Sequence, residues 1–364
     1  MIRVLHIVRS MDIGGIETFI MNVYRNIDRS KIQFDFLVSL EDTAAFDEEI
    51  KKLGGNIYYI PPRRKGIIKN RMALAKFFKE KGKNYIAIHQ HASSLTSILP
   101  LIYAKKQGIK TRIIHSHSNS LKSPNKIHFF LHLINKLRLH SYANYFFACS
   151  DLAAVWFYGD KKQKVEIINN GIDTSLFKYG EDVRKRIRDT YSIQDKIVFG
   201  HIGSFLKVKN QKYIVDVFQS FLEINSNAVL WLIGSGAMLA DIKDYVAELN
   251  ISNKVVFWGI RQDTYELLQG IDIFVFPSIF EGLPLALVEA QTAGLKIFAS
   301  QNISKQAILT NNVEMLDIYL PTKIWAEKIN ECVVYERKDY SHIIASKGFD
   351  VSTTILYLEK IYEK

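Results

Sequence analysis

Residues 271–299 read IDIFVFPSIFEGLPLALVEAQTAGLKIFA. Ile273 to Phe276 is a short apolar run of β-branched and aromatic residues, stopped by Pro277; it reads as a buried strand. A Gly-Leu-Pro entry at 282–284 then opens a run of helix formers to Ala293. Lys296 to Ala299 is apolar again. Strand, helix and strand in this space make a βαβ crossover, which sets the two strands parallel.

Outward from this stretch the alternation continues. Ile197 to Ile202, Ala228 to Ile233 and Lys254 to Trp258 read as further strands. Helical patterns near 211–223, 239–249 and 264–268 separate them. Before these, Asn169-Asn170-Gly171 is a turn and Ile172 to Phe177 a connector. The same alternation fills the first half, with strands at 3–8, 34–38, 56–60, 86–89, 112–115 and 145–148. Helical stretches fall at 16–26, 72–80, 93–106 and 127–139. The fold class is therefore α/β, with a doubly wound parallel sheet in each of two domains, 1–170 and 171–350. Residues 351–364 end in an amphipathic helix, expected to pack back toward the first domain.

At 364 residues and 48% hydrophobic, the chain is long enough for two cored domains, and disorder is excluded. Cys149 and Cys332 are far apart and outside any ligand-spaced cluster, so they read as reduced thiols, Cys149 in the core. No apolar run reaches the 18 or so residues of a membrane span. Met1 to Val8 reads as a first strand and not a signal peptide, which makes the cytoplasm the expected location.

Charge is placed unevenly. Of 48 Lys+Arg and 37 Asp+Glu, residues 1–172 hold 27 and 13, and the window 61–140 has 17 basic residues against one acid, Glu80. That asymmetry points to an anionic partner of the first domain, such as nucleic acid, a membrane surface or a phosphorylated substrate.

Three motifs carry chemistry. Gly14-Gly15, between a strand and a helix start, lets a ligand approach the backbone where free N–H groups favour an anion. It is not a G-x-G-x-x-G, which argues against a dinucleotide. Gly203-Ser204-Phe205, followed by Lys207, Lys209 and a helix, can hold a diphosphate. In the opening stretch, Glu281 and Glu289 stand eight apart, one in a loop and one in a helix. Each can accept hydrogen bonds from vicinal hydroxyls, while the N–H groups of Gly282 and Leu283 can meet a phosphate. Glu289 sits among Ala286, Leu287, Val288 and Ala290, so its charge needs a partner, and a ribose would be one.

Taken together these motifs resemble the retaining glycosyltransferases of family 4, which have the GT-B fold of two Rossmann-like domains facing across a cleft. The 280–289 segment is similar to the family's E-x7-E signature. GGIETF, NNGID, GSFLKVKN and LIGSG match as well, so the resemblance spans nearly the whole chain. Within the family it is most similar to enzymes of capsular and exopolysaccharide synthesis.

The resemblance implies a metal-independent transfer from a nucleotide-sugar donor, with a UDP-sugar expected, to a glycan or lipid-pyrophosphate-linked acceptor. No cofactor beyond the donor is implied, and no convincing Asp-x-Asp motif is present. Carried over, Glu289 holds the ribose, Glu281 the transferred sugar, Lys209 the diphosphate, and Gly15 lies near diphosphate and sugar. The family also places a histidine after an N-domain strand, for which IIHSHSNS offers His115 and His117. Many members carry Arg where this chain has Ser204; Lys207 is the candidate substitute. A non-catalytic nucleotide-sugar-binding subunit and a GT-B epimerase are the rival readings. A nucleic-acid-binding role lacks any recognised motif, so no nucleic-acid partner is expected. The basic window is instead expected to dock on the anionic inner face of the membrane. Its interleaved apolar residues are expected to be mostly core-facing stripes, which would leave that attraction mainly electrostatic.

Overall fold

The computed structural model describes all residues except 41, 119–125, 160–163 and 282. The chain forms two compact units, Met1–Gly171 together with Val351–Lys364, and Ile172–Asp350. The first holds β1 (Ile2–Val8), β2 (Ile32–Val38), β3 (Ile57–Tyr59), β4 (Ala87–Ala92), β5 (Thr111–Ser116), β6 (Tyr145–Ala148) and β7 (Glu166–Ile167). These pair in parallel in the order β3-β2-β1-β4-β5-β6-β7. The second holds β8 (Ile197–Ile202), β9 (Ala228–Ile233), β10 (Val255–Gly259), β11 (Ile273–Phe276), β12 (Lys296–Ser300) and β13 (Val313–Leu316). Their order is β10-β9-β8-β11-β12-β13, again parallel.

Both sheets are doubly wound and reverse direction once, between β1 and β4 and between β8 and β11. In such sheets the loops leaving the two strands at the reversal diverge, and a ligand crevice opens beyond their carboxyl ends. Helices cover both faces, so interior strands are buried: β9, AVLWLI, is apolar and buried at all six positions. In the first unit, the helix Gly15–Asn26 lies on one face beside the C-terminal helix Val351–Tyr362. Val351, Ile355, Leu358, Ile361 and Tyr362 join the core built on Val4, Phe34 and Phe36. Cys149 and Cys332 are both free, and Cys149 is buried.

Three departures from the sequence reading have local causes. The helix expected from residue 93 starts at Leu99. The preceding loop is held out of helix by the Leu95 N–H donating to the His132 ring (3.1 Å) and by the Asn135 amide donating to the Leu95 carbonyl (2.7 Å). The connector Ile172 to Phe177 contains a short helix, Thr174–Phe177, capped by the Asp173 carboxylate. The helix Glu181–Thr190, unread in the sequence, is anchored by charge: Arg184 and Arg188 both pair with Asp272. Its apolar face is carried by only Val183 and Ile187, four apart among charged residues, which is too short a signal to stand out.

Candidate functional site

In the C-terminal unit the two loops at the sheet reversal are stitched together. After β8 the chain makes a tight turn over Lys207–Lys209 and reaches Asn210 in the left-handed conformation (φ 58°). After β11, the Ile279 N–H donates to the Val208 carbonyl (2.8 Å), and the Asn210 amide donates to the Pro277 carbonyl (3.3 Å). A parallel bridge to Ile303 and a hydrogen bond from the Ser304 N–H to the Glu281 carbonyl (3.1 Å) hold Glu281 in place. As a result Lys209 and Glu281 form an ion pair, each side chain 18% exposed. The Lys209 ammonium also lies 5.3 Å from the Phe276 ring centre. A paired, largely shielded lysine beyond the carboxyl ends of β8 and β11 is a ready phosphate cation, and its carboxylate partner is a ready hydroxyl acceptor.

Glu289 sits on the helix Leu285–Thr292, whose Leu287, Val288 and Ala290 are core. Burial pushes its carboxyl up from 4.5 to about 7. It has no hydrogen-bond or ion-pair partner among the described residues. The charge that the sequence said must be answered is therefore unanswered by the protein. Ser204 and Lys207 are exposed, and the Ser204 carbonyl is fixed by the Gln211 amide (2.8 Å). The Leu283 side chain packs on the core. Gly282 lies outside the described residues.

Two buried groups in the same place escaped the sequence reading. His201, on β8, bonds the Val275 carbonyl through Nδ1 (2.9 Å), while its Nε2 has no partner. Burial holds its pKa down to about 3, so the ring is neutral. The Ser278 hydroxyl, two residues past β11, is also buried and unpartnered. No motif marks either one; only their positions at the reversal do.

In the N-terminal unit Gly14 caps the helix Gly15–Asn26 in an extended conformation, its carbonyl accepting from the Thr18 N–H (2.8 Å). A Cβ on Gly15 would meet nothing within 4 Å, so the fold itself does not require glycine there. His115 lies inside β5 and is fully buried, whereas His117 is one residue past the strand end. Their ring centres lie 4.0 Å apart, the planes tilted by 34°. They belong to a larger group with His6, His89 and His91, all five depressed in pKa chiefly by burial, His117 to about 3. Histidines two apart on β4 and again at β5 were the available signal, because period two puts them on one face.

The basic segment corrects one expectation. The apolar residues interleaved with its basic groups at 67–72 and 127–137 do not mostly face the core: Ile68 is 74% exposed, Phe130 62% and Leu137 81%. The helix Lys126–Arg138 buries only His132 among its residues. No helix among the described residues is long and apolar enough to cross a membrane.

Comparison with known proteins adds the following. The chain matches the family model of glycosyl transferases group 1 over residues 183–333 and that of glycosyltransferase family 4 over residues 13–176. It is 32% identical to EpsF of Bacillus subtilis strain 168, a glycosyltransferase by name, over 99% of this chain and 96% of that one. It is 26% identical to an Escherichia coli UDP-Gal:α-D-GlcNAc-diphosphoundecaprenol α-1,3-galactosyltransferase, over 70% of this chain and 68% of the other. It is 24% identical to the capsular polysaccharide biosynthesis glycosyltransferase CapH of Staphylococcus aureus, over 100% and 99%. Its fold is that of Anabaena HepE, crystallised with UDP and glucose, at a TM-score of 0.78 and 18% identity over the whole of both chains.

Proposed function

This chain belongs to glycosyltransferase family 4, and from that premise we propose that it extends a polysaccharide repeat unit. It moves a sugar from a UDP-sugar to a lipid-pyrophosphate-linked glycan, with retention and without a metal ion or further cofactor. The observation that carries this reading is the Lys209–Glu281 pair at the reversal of the second sheet, together with the unpartnered carboxyl of Glu289 on the helix that follows Glu281 in the chain. The C-terminal unit takes the donor: Glu289 accepts from the ribose hydroxyls, Glu281 from the transferred sugar, and Lys209 meets the diphosphate. Leu283, and Gly282 beside it, offer main-chain N–H groups to the same phosphates. Lys207 supplies the second positive charge that Ser204 does not.

The bond from the anomeric carbon to the phosphate oxygen breaks as charge grows on the diphosphate, and Lys209 stabilises that charge. The acceptor oxygen bonds to the anomeric carbon on the same face, and its proton passes to the departing phosphate oxygen. No protein nucleophile is needed. The N-terminal unit takes the acceptor, with Gly14 and Gly15 giving backbone access and His115 and His117 facing the sugar. The acceptor's lipid is met at the anionic inner face of the cell membrane, where the enzyme docks peripherally from the cytoplasm.

A thermal-shift screen with UDP-, GDP- and ADP-sugars tests the donor assignment, because a ligand that binds the native state raises its melting temperature. A UDP-sugar gives the largest shift, and Lys209→Ala lowers its turnover at least tenfold, about 1.4 kcal/mol. A chain that no nucleotide sugar stabilises, or a Lys209→Ala variant with full turnover, defeats the reading.

A further inference from the structure

His6, His89, His91, His115 and His117 occupy one face of the N-terminal sheet, where parallel strands are ordinarily apolar. His6 pairs across the sheet with His89, and His91 with His115. The rings join in two chains. Tyr362, on the C-terminal helix, lies 2.7 Å from His89 Nδ1, and His89 Nε2 lies 3.2 Å from His115 Nδ1. Separately, His6 Nδ1 meets His91 Nε2 at 3.0 Å, and His91 Nδ1 meets His117 Nε2 at 2.9 Å. Three ring nitrogens remain without a partner: His6 Nε2, His115 Nε2 and His117 Nδ1.

Three histidines whose ring nitrogens lie within 4.8 Å of one another, such as His91, His115 and His117, suggest a cation site. Proton bookkeeping points elsewhere. A neutral imidazole has one N–H and one lone pair, and burial keeps these rings neutral. The Tyr362 hydroxyl is fully buried, and His89 is its one hydrogen-bond partner among the described residues. If the hydroxyl donates, His89 accepts at Nδ1 and donates from Nε2, and His115 accepts at Nδ1. That direction leaves unmet the N–H at His115 Nε2 and the lone pairs of the tyrosine oxygen. The reverse direction leaves unmet the tyrosine O–H and the lone pair at His115 Nε2. The counts are equal, and strength decides: a phenol O–H is a stronger donor than an imidazole N–H, and an imidazole nitrogen is a stronger acceptor than a phenol oxygen, so the first direction prevails.

We propose that Tyr362 is a positioning residue which, through His89, holds His115 as its Nε2–H tautomer, so that His115 offers a hydrogen bond to a substrate oxygen and no lone pair to a cation. Both nitrogens of His89 and both of His91 are already engaged, so neither candidate triad keeps three free lone pairs. The second chain contains no hydroxyl, and nothing in it fixes the direction of its protons. The tautomer stands on the geometry alone; the substrate oxygen rests on the transferase reading above.

The test is long-range proton–nitrogen NMR of the full chain labelled at histidine nitrogen. His89 and His115 show single Nε2–H signatures at neutral pH. Tyr362→Phe keeps the ring and removes the proton source, so both lose the single signature. If that variant does not fold, His89→Phe breaks the chain midway and frees His115 in the same way. An Nδ1–H signature at His115, or one unchanged in a folded variant, overturns the proposal. So does a stoichiometric tetrahedral cobalt(II) spectrum that His115→Ala abolishes. Turnover separates the two readings: changed tautomers with unchanged kcat and KM in Tyr362→Phe keep the positioning chain and remove His115 from the transfer.

Discussion

Lys209 is paired with Glu281, the residue assigned to the sugar. A diphosphate arriving alone must compete with Glu281 for that ammonium, whereas a complete donor offers Glu281 hydroxyls in exchange. Glu281→Gln should therefore bind free UDP more tightly, by about fivefold if the pair is worth ~1 kcal/mol, while turnover falls at least tenfold. Calorimetry with UDP and with UDP-sugar reads both, and weaker UDP binding would remove the competition. Glu289 makes a pH prediction. A carboxyl raised from 4.5 to about 7 favours the fold when protonated. Its contribution to stability is complete below about pH 4.5 and is lost as pH rises through 7. Ribose hydroxyls need the ionised form, so donor affinity should fall below pH 7, by up to about tenfold per unit. Glu289→Gln should flatten that profile, weaken binding at pH 8, and melt higher than the parent at pH 8 but not at pH 5. A profile as steep as the parent's would place the titrating group elsewhere.

Glycines in the βα loops separate structural need from ligand access. Gly234 has φ +132°, and a Cβ there would run into the Gly203 carbonyl at the start of the Lys209 loop. Gly234→Ala should cost about 1–3 kcal/mol of stability and displace Lys209, seen as a lower melting temperature together with reduced turnover. Gly15 differs: its conformation is not left-handed and a Cβ has open space. Gly15→Ala should therefore leave melting unchanged or slightly raised yet impair transfer, because the space belongs to the substrate; full activity would show that it does not. These loops also mark what the sequence could reveal. Strand β11, the helix carrying Glu289 and the Lys209 turn were legible because period, proline and glycine announce them. His201 and Ser278 were not, since a single polar residue in an apolar run gives no sign of whether its bonds are met. The histidine chain was half legible: spacing puts His89 with His91 and His115 with His117, but only register brings His6 and Tyr362 to them.

At the scale of the molecule, the charge asymmetry read from the sequence acquires a surface. Residues 61–140 carry 17 basic groups and one acid. Within that window the helices Ile67–Lys81 and Lys126–Arg138 expose Ile67, Ile68, Met72, Phe129, Phe130 and Leu137 to solvent. Periodicity suggested core-facing stripes for these residues. The helix Lys126–Arg138 instead turns its apolar residues outward, a distinction that composition alone does not make. Lysine and arginine near an anionic leaflet contribute roughly 1 kcal/mol each, and exposed Phe and Leu can enter the headgroup layer. Docking should then have two components with different salt dependence. In vesicle co-sedimentation the full chain should bind phosphatidylglycerol-rich vesicles and not neutral ones. Raising salt to about 0.5 M shortens the screening length to a few ångströms, so it should weaken binding without abolishing it. Phe130→Asp with Leu137→Asp should remove the salt-resistant part and keep a residual, salt-sensitive attraction. Because both side chains are exposed, melting should stay within about 0.5 kcal/mol of the parent. Equal binding to neutral vesicles would make the basic window irrelevant to docking, and binding by the double variant that matches the parent at high salt would make the exposed helix face irrelevant.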